Sequence, residues 1–425
     1  MRRAVRGMSA AVIAGAMAVS APAWGAPARG ETERVSVSAS GEQANGDSGG
    51  PALSGDGRYA AFASLGSNLV PGDTNGVSDV FVRDRRTGTV ERVSVASDGT
   101  QADGDTRAVT ISGDGRYVVF VSSAGNLVEG DALPPDAQDV YVHDRRTGRT
   151  ERVSRAADGG SVRTYGDIAV SGDGRYVSFN APLSRMEDGE TSPHLAAYVT
   201  DRRTGGTRRI SNGAHPEWSV FGVGLSADGR YAAYSQRHPR GGPGELWVHD
   251  LRTGGEEQAN VTPDGLPSTG DTVGMSLSAD GSRIAFASSA GDLGGAVSGT
   301  GTETHAYVRD LRRDVTTRIL HEGAGRTAFW SAARLSPDGR YLAYAHAVPT
   351  AGGDLVDNLY VRDLVTGESR LATEATGGGG VGDDGFSLPS SFSADGRYLA
   401  FLSASAQLVP GDTDGHADGF VRRLR

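Results

Sequence analysis

Two kinds of residue pattern in this chain have the makings of chemistry. The first is acidic. Three loops read Gly72-Asp73-Thr74-Asn75-Gly76-Val77-Ser78-Asp79, Gly130-Asp131 with Asp136 and Asp139, and Gly411-Asp412-Thr413-Asp414-Gly415-His416-Ala417-Asp418. Calcium takes several oxygen ligands on a curved loop, and glycine permits the curvature. Asp73, Asn75 and Asp79 have that character, as do Asp412, Asp414 and Asp418. The spacing is shorter than that of an EF-hand and lacks its terminal glutamate. Asp and Asn also favour turns by bonding their own backbone, so structural turns are the competing expectation. The second pattern is aromatic and basic. Trp218 and Phe221 lie together, as do Phe329 and Trp330, with Arg163, Tyr165, His215 and Arg326 in similar connections. Aromatic rings beside arginines stack on sugars or clamp a peptide carboxylate. Their competing role is to wedge neighbouring layers apart as core residues.

No catalytic constellation is legible. There is no cysteine, which excludes a disulfide framework, thiolate metal sites and a cysteine nucleophile. No phosphate loop occurs, and the glycine-rich run Gly377 to Gly380 follows a strand but opens no helix, as a dinucleotide fingerprint would. The nine histidines are scattered, and no pair has ligand spacing on one element. His143 and His249 occupy the place held by Arg83 in an equivalent segment, and are expected at the surface; His194, His238, His305 and His346 fall in variable stretches.

The elements that must position these residues follow from repetition. Ser-x-Asp-Gly-Arg-Tyr, or a near match, starts at Ser54, Ser112, Ser171, Ser226, Ser278, Ser336 and Ser393. The fifth copy departs from it, with Ser282-Arg283 in place of Arg-Tyr. After each Asp-Gly turn comes an alternating strand such as Tyr59-Ala60-Ala61-Phe62-Ala63, whose two faces both need cover. A second hairpin follows, opening on an aromatic-bearing strand such as Val80-Phe81-Val82 and turning at Asp84-Arg85-Arg86-Thr87-Gly88. Four strands per unit of ~50–60 residues, repeated radially, predict β-propeller blades. The expected fold is therefore all-β, a seven-bladed β-propeller of four-stranded antiparallel blades.

The ends complete the count. The seventh unit stops at its third strand, Gly419-Phe420-Val421-Arg422-Arg423, and the segment Glu33-Arg34-Val35-Ser36-Val37 is an orphan copy of the fourth. The N-terminal strand should complete the last blade, since unpaired edges invite aggregation.

The seven Ser-x-Asp-Gly-Arg-Tyr blocks and the Val-Arg-Asp-x-x-Thr-Gly turns resemble the propeller repeats of the TolB-like family, related to WD-type and prolyl-oligopeptidase propellers. The resemblance covers essentially everything after residue 30 and implies a fold more than an activity. TolB looks like a six-bladed propeller with an additional N-terminal α/β domain, whereas this chain has seven repeats.

Composition bounds the rest. The 425 residues carry a net charge of −10, and all 42 basic residues are arginine. An acidic balance argues against nucleic-acid binding. Residues 1–28 read as a cleaved signal peptide: Arg2, Arg3 and Arg6 precede a short apolar run and two sites, Ala21-Pro22-Ala23 and Ala26-Pro27-Ala28. Their removal takes the net charge from −10 to −13. Residues 29–425 are expected to form one extracytoplasmic, monomeric propeller without a membrane span. Uniform turns mark scaffold and heterogeneous connections mark where a site can be built, so the ligand site belongs on the variable face around the channel mouth. The leading expectation is a secreted, non-catalytic binder of a protein, peptide or cell-envelope glycan. A polysaccharide lyase or hydrolase with its site at the channel mouth, and a calcium-stabilised envelope scaffold, are the alternatives; no other cofactor is expected.

Overall fold

Each copy of the repeat becomes one antiparallel sheet because its alternating strands bury both faces. In a computed structural model of the chain, Tyr59–Ser64 and Asp79–Asp84 are almost wholly buried, as are their counterparts Tyr117–Ser122 and Asp139–Asp144. The structure describes residues 30–425 except 131–136, 166, 188, 214, 216, 295–303, 321–325, 328–332, 350–354 and 383–385; at 326, 327 and 349 it describes the backbone alone.

Seven sheets result, six of them ordered along the chain from the innermost strand outward, as in Ala52–Leu53, Tyr59–Ser64, Asp79–Asp84 and Val90–Arg92 of blade 1. The innermost strand of blade 6 is in two pieces, Arg326–Thr327 and Arg334–Leu335, which both pair with Tyr341–Pro349. A four-residue helix, Leu183–Met186, is the one helical element among the described residues.

Packing between blades is directional. In every blade an aromatic of the second strand sits opposite an aromatic of the third, as in Phe62 and Phe81, Phe120 and Tyr141, and Phe401 and Phe420. The last two pairs stack with centroids 6.0 and 5.5 Å apart. These rings press on the aliphatic face of the preceding blade: Phe120 and Tyr141 lie in one cluster with Ala61, Val80, Val82 and Val93. One thin layer per junction, repeated, replaces a single thick core.

The ring closes as the orphan strand predicts. Thr32–Arg34 pairs antiparallel with Asp418–Arg423 and forms the outermost strand of blade 7. The pairing continues beyond the ladder through Gly30 N–H to Arg423 O at 2.8 Å and Val35 N–H to Gly419 O at 2.8 Å. Val35, Ala400 and Val421 of this blade pack on Leu53 and Ala60 of blade 1.

Candidate functional site

The repeated motif is consumed by the scaffold. In all seven copies the Ser Oγ donates to the Asp Oδ1 two residues on, as in Ser54 to Asp56 at 2.7 Å and Ser226 to Asp228 at 2.5 Å, and accepts the N–H that opens the second strand. The motif arginine grips the aspartate of the neighbouring turn: Arg116 to Asp144 at 2.8 Å, Arg175 to Asp201 at 2.9 Å and Arg230 to Asp250 at 2.7 Å. These bonds hold the Asp144 and Asp250 carboxyls well below the usual range and Asp201 down to about 2. The first arginine of that turn reaches the preceding blade. Arg202 lies 4.2 Å over the Tyr117 ring and bonds Glu151 at 2.9 Å. Asp56, Asp114, Asp173, Asp228, Asp338 and Asp395 thus hold turns together.

The second residue of the motif builds a girdle at the scaffold end of the channel. Gly55 N–H donates to Gly113 O, Gly113 to Gly172 O and Gly172 to Ala227 O, each at 2.8 Å. Asp228 N–H donates to Ala279 O, Ala279 to Pro337 O, and Ala394 back to Gly55 O. The remaining junction would start at Pro337, which has no N–H.

Above the girdle the innermost strands enclose a cavity of about 520 Å³. One position lines it in every blade: Ala52, Thr110, Ala169, Gly224, Ser276 and Ser391 are small, and the seventh is Arg334. Arg334 is held by its neighbours, with Nε donating to Ser390 O at 3.1 Å and Nη1 to Met275 O at 3.2 Å. Two residues earlier along each strand stand Gly50, Ala108, Gly222, Gly274 and Pro389; blade 3 has Asp167 there, and position 332 of blade 6 lies outside the described residues. Asp167 reaches water in the channel, yet protein surrounds it. This confinement pushes its carboxyl up while Arg334 opposes the shift; the same confinement lowers the Arg334 guanidinium, and Asp167 opposes that.

Around the mouth, four innermost strands carry β-bulges, with Ala108, Phe221, Gly274 and Ser390 as the extra residues. Bulges re-aim side chains. The expectation placed Phe221 in a connection; the structure places it in the strand Ser219–Leu225, where its bulge leaves it 42% exposed on the cavity wall. Arg237 lies 4.7 Å over the Phe221 ring and pairs with Asp271 at 2.6 Å. Trp218 stacks on His215 at 4.2 Å, and His215 Nε2 is 3.4 Å from Glu245 Oε1. Tyr165 and Arg163 are exposed on either side of buried Thr164, which bonds Asn180 O at 2.8 Å; Arg163 adopts φ 57°. Arg326 stands in the outer piece of the blade 6 inner strand, its side chain outside the described residues, as are all of Phe329 and Trp330. Arg334, Asp167 and Arg237 were not singled out from sequence.

The histidine expectation needs correction. His143 is buried, not a surface substitution, with Nδ1 2.9 Å from Thr150 Oγ1, and burial lowers its pKa. Arg83 at the matching place is 1% exposed and donates to Val37 O and Ser38 O. The position faces the connection arriving from the preceding blade, so it is an interface position.

The acidic loops sit toward the outer strands, away from the channel, and each already holds a cation. Arg92 lies 3.2 Å from Asp73 and 3.3 Å from Asp79, while Asn75 Nδ2 donates to Asp79 at 2.9 Å. Arg34 lies 3.3 Å from Asp412 and 3.2 Å from Asp418. Asp139 has Arg152 at 3.4 Å; Asp131 and Asp136 lie outside the described residues. Asp412, Asp414 and Asp418 each offer an oxygen within 4.8 Å of the others, the one such group of three among the described residues. Burial pushes Asp418 up to about 6, against the hydrogen bond from Ser36 and the charge of Arg34.

No family model matches the chain, and no curated protein matches it. Solved structures do. An oligogalacturonate lyase in complex with manganese superposes with TM-score 0.58 at 13% identity, covering 94% of this chain and 99% of that one. The β-propeller domain of the Trilobed protease from Pyrococcus furiosus, described as having an open velcro topology, gives TM-score 0.52 at 12% identity over 85% and 92%. TolB from Acinetobacter baumannii gives 0.42 at 15% identity over 75% of this chain and 61% of its own length, less than two thirds of that protein. No helix among the described residues is long and apolar enough to cross a membrane. What the first two likenesses establish is the fold: this chain is a seven-bladed β-propeller, sealed by its own N-terminal strand.

Proposed function

We propose that the protein is an extracytoplasmic, non-catalytic propeller that binds a peptide or cell-envelope glycan at the channel mouth on its variable face. One observation carries this reading: the polar groups of the repeated turns are spent on one another, whereas the channel and its mouth hold side chains that break the sevenfold pattern. Phe221 under Arg237 offers a stacking surface beside a charge, the chemistry that holds sugars and carboxylates. A binding screen against peptidoglycan fragments, polyuronates and secreted proteins tests it. Phe221→Ala and Arg237→Ala should each weaken the bound ligand by about tenfold, in line with loss of one aromatic or charged contact. A ligand indifferent to both substitutions overturns the reading.

A lyase acting on acidic polysaccharide is the second reading, favoured by likeness over nearly the full length of a lyase propeller. Its test is incubation with oligogalacturonate, with and without manganese, watching for the ultraviolet absorbance of an unsaturated product. Secretion is supported by the basic start and Ala-Pro-Ala sites of residues 1–28, which lie outside the described residues. Mass spectrometry of the exported chain should find an N-terminus after Ala23 or Ala28.

A further inference from the structure

Along the innermost strands, two channel-lining positions break the repeat with a charge, and the charges are opposite; Arg237, from a second strand at the mouth, is already paired with Asp271. Six of the seven lining positions at the level of Arg334 are Ala, Gly, Ser or Thr, so room is kept around one guanidinium. Two residues earlier in the sequence of each repeat, every described position is Gly, Ala or Pro except Asp167. A guanidinium has five N–H donors; Arg334 directs two nitrogens to the carbonyls of Met275 and Ser390, which fixes its plane and leaves further donors for the cavity. Both charges line one cavity and act on each other, yet no ion pair of 4.0 Å or less joins them. Asp167 is exposed to the channel and Arg334 half-buried, so both are open to a ligand, and one that displaces their water without replacing its hydrogen bonds loses affinity.

We infer that the channel receives a zwitterionic ligand, a free amino acid or a short peptide with both ends unblocked, with its carboxylate at Arg334 and its ammonium at Asp167. The inference rests on the channel-mouth reading above and narrows the ligand class. A polyuronate satisfies Arg334 but meets Asp167, and a simple amine has the reverse difficulty. A zwitterion meets both with charge-assisted hydrogen bonds, roughly twice as strong as neutral ones. The cavity of about 520 Å³ lies within the range of small-ligand sites, about 300–1,000 Å³.

Isothermal titration of the full mature chain with alanine, alanyl-alanine and trialanine, each also N-acetylated and C-amidated, tests the proposal. At least one unblocked form should bind, and either block should weaken it tenfold or more. Asp167→Asn should abolish the preference for the free amine while keeping that for the free carboxylate; Arg334→Gln should do the converse. Because Arg334 also ties blades 5 and 7 together, its variant is read only if its melting temperature is unchanged; otherwise Asp167→Asn decides alone. Equal binding of free and blocked peptides, no binding of any of the three, or a preference for the free amine that survives Asp167→Asn overturns the inference. If oligogalacturonate binds instead and Phe221→Ala weakens it, the zwitterion proposal falls while the channel-mouth reading stands. If no ligand responds to Phe221 or Asp167, both fall.

Discussion

The motif glycine shows how tightly one residue is constrained here. Gly229 adopts φ +70°, and a Cβ there would lie 2.8 Å from the Tyr176 ring of the preceding blade. Backbone conformation and interblade contact therefore both demand glycine. Gly229→Ala should cost about 1–3 kcal/mol, read as a lower denaturation midpoint with unchanged slope. The turn carboxylates define a second expectation. Asp144, Asp201, Asp250 and Asp363 titrate below their unfolded values because arginines bond them, with Asp201 at about 2. A depressed folded pKa contributes stability above the unfolded value, about 3.9, and that contribution is lost as pH falls toward 2. Calorimetry should therefore show little change in melting temperature from these groups between pH 5 and 7, and a steep fall from pH 4 to 2. Each pair is partly exposed, so the effect is a sum of small terms that salt reduces.

At the level of the strand and loop, two features decide behaviour. The aromatic of the second strand is buried in every blade, and Phe120 is fully buried. Phe120→Ala should cost about 3–5 kcal/mol, since the rigid sheets on either side cannot collapse into the space. The acidic loops belong to the same scale. Arg34 and Arg92 stand among the carboxylates that calcium would otherwise bridge. Neither EDTA nor millimolar calcium should move the melting temperature, whereas Arg34→Ala should lower it and render it calcium-responsive. A wild-type chain that melts higher with calcium would reverse that assignment. The strands and their turns were legible in the sequence because a period-two pattern and an Asp-Gly turn are local signals. The inner-strand bulges were not: an extra residue such as Phe221 changes register without changing composition, and only pairing to Tyr231–Arg237 reveals it.

For the whole molecule, closure is the governing fact. Blade 7 takes its outermost strand from the other end of the chain, so the ring is held by hydrogen bonds between Thr32–Arg34 and Asp418–Arg423 and by the ion pairs of Arg34. Deleting residues 31–40 should leave an open edge and an unsatisfied acidic loop, giving a lower and broader unfolding transition by calorimetry and more aggregation.

The sequence by itself determined the number of blades, the strand order within each and the closing strand, because each is written as a repeated local pattern and a missing copy. It also contained the departures at Arg334 and Asp167, visible once the seven innermost strands are aligned on their motif serines. Only the tertiary structure decided that these two residues share one cavity, that Arg83 and His143 are interface positions, and that the acidic loops enclose arginines. The physical reason is distance along the chain. Residues 167 and 334 are brought together by the two intervening blades curving about an axis, and no pattern local to either one records that curvature.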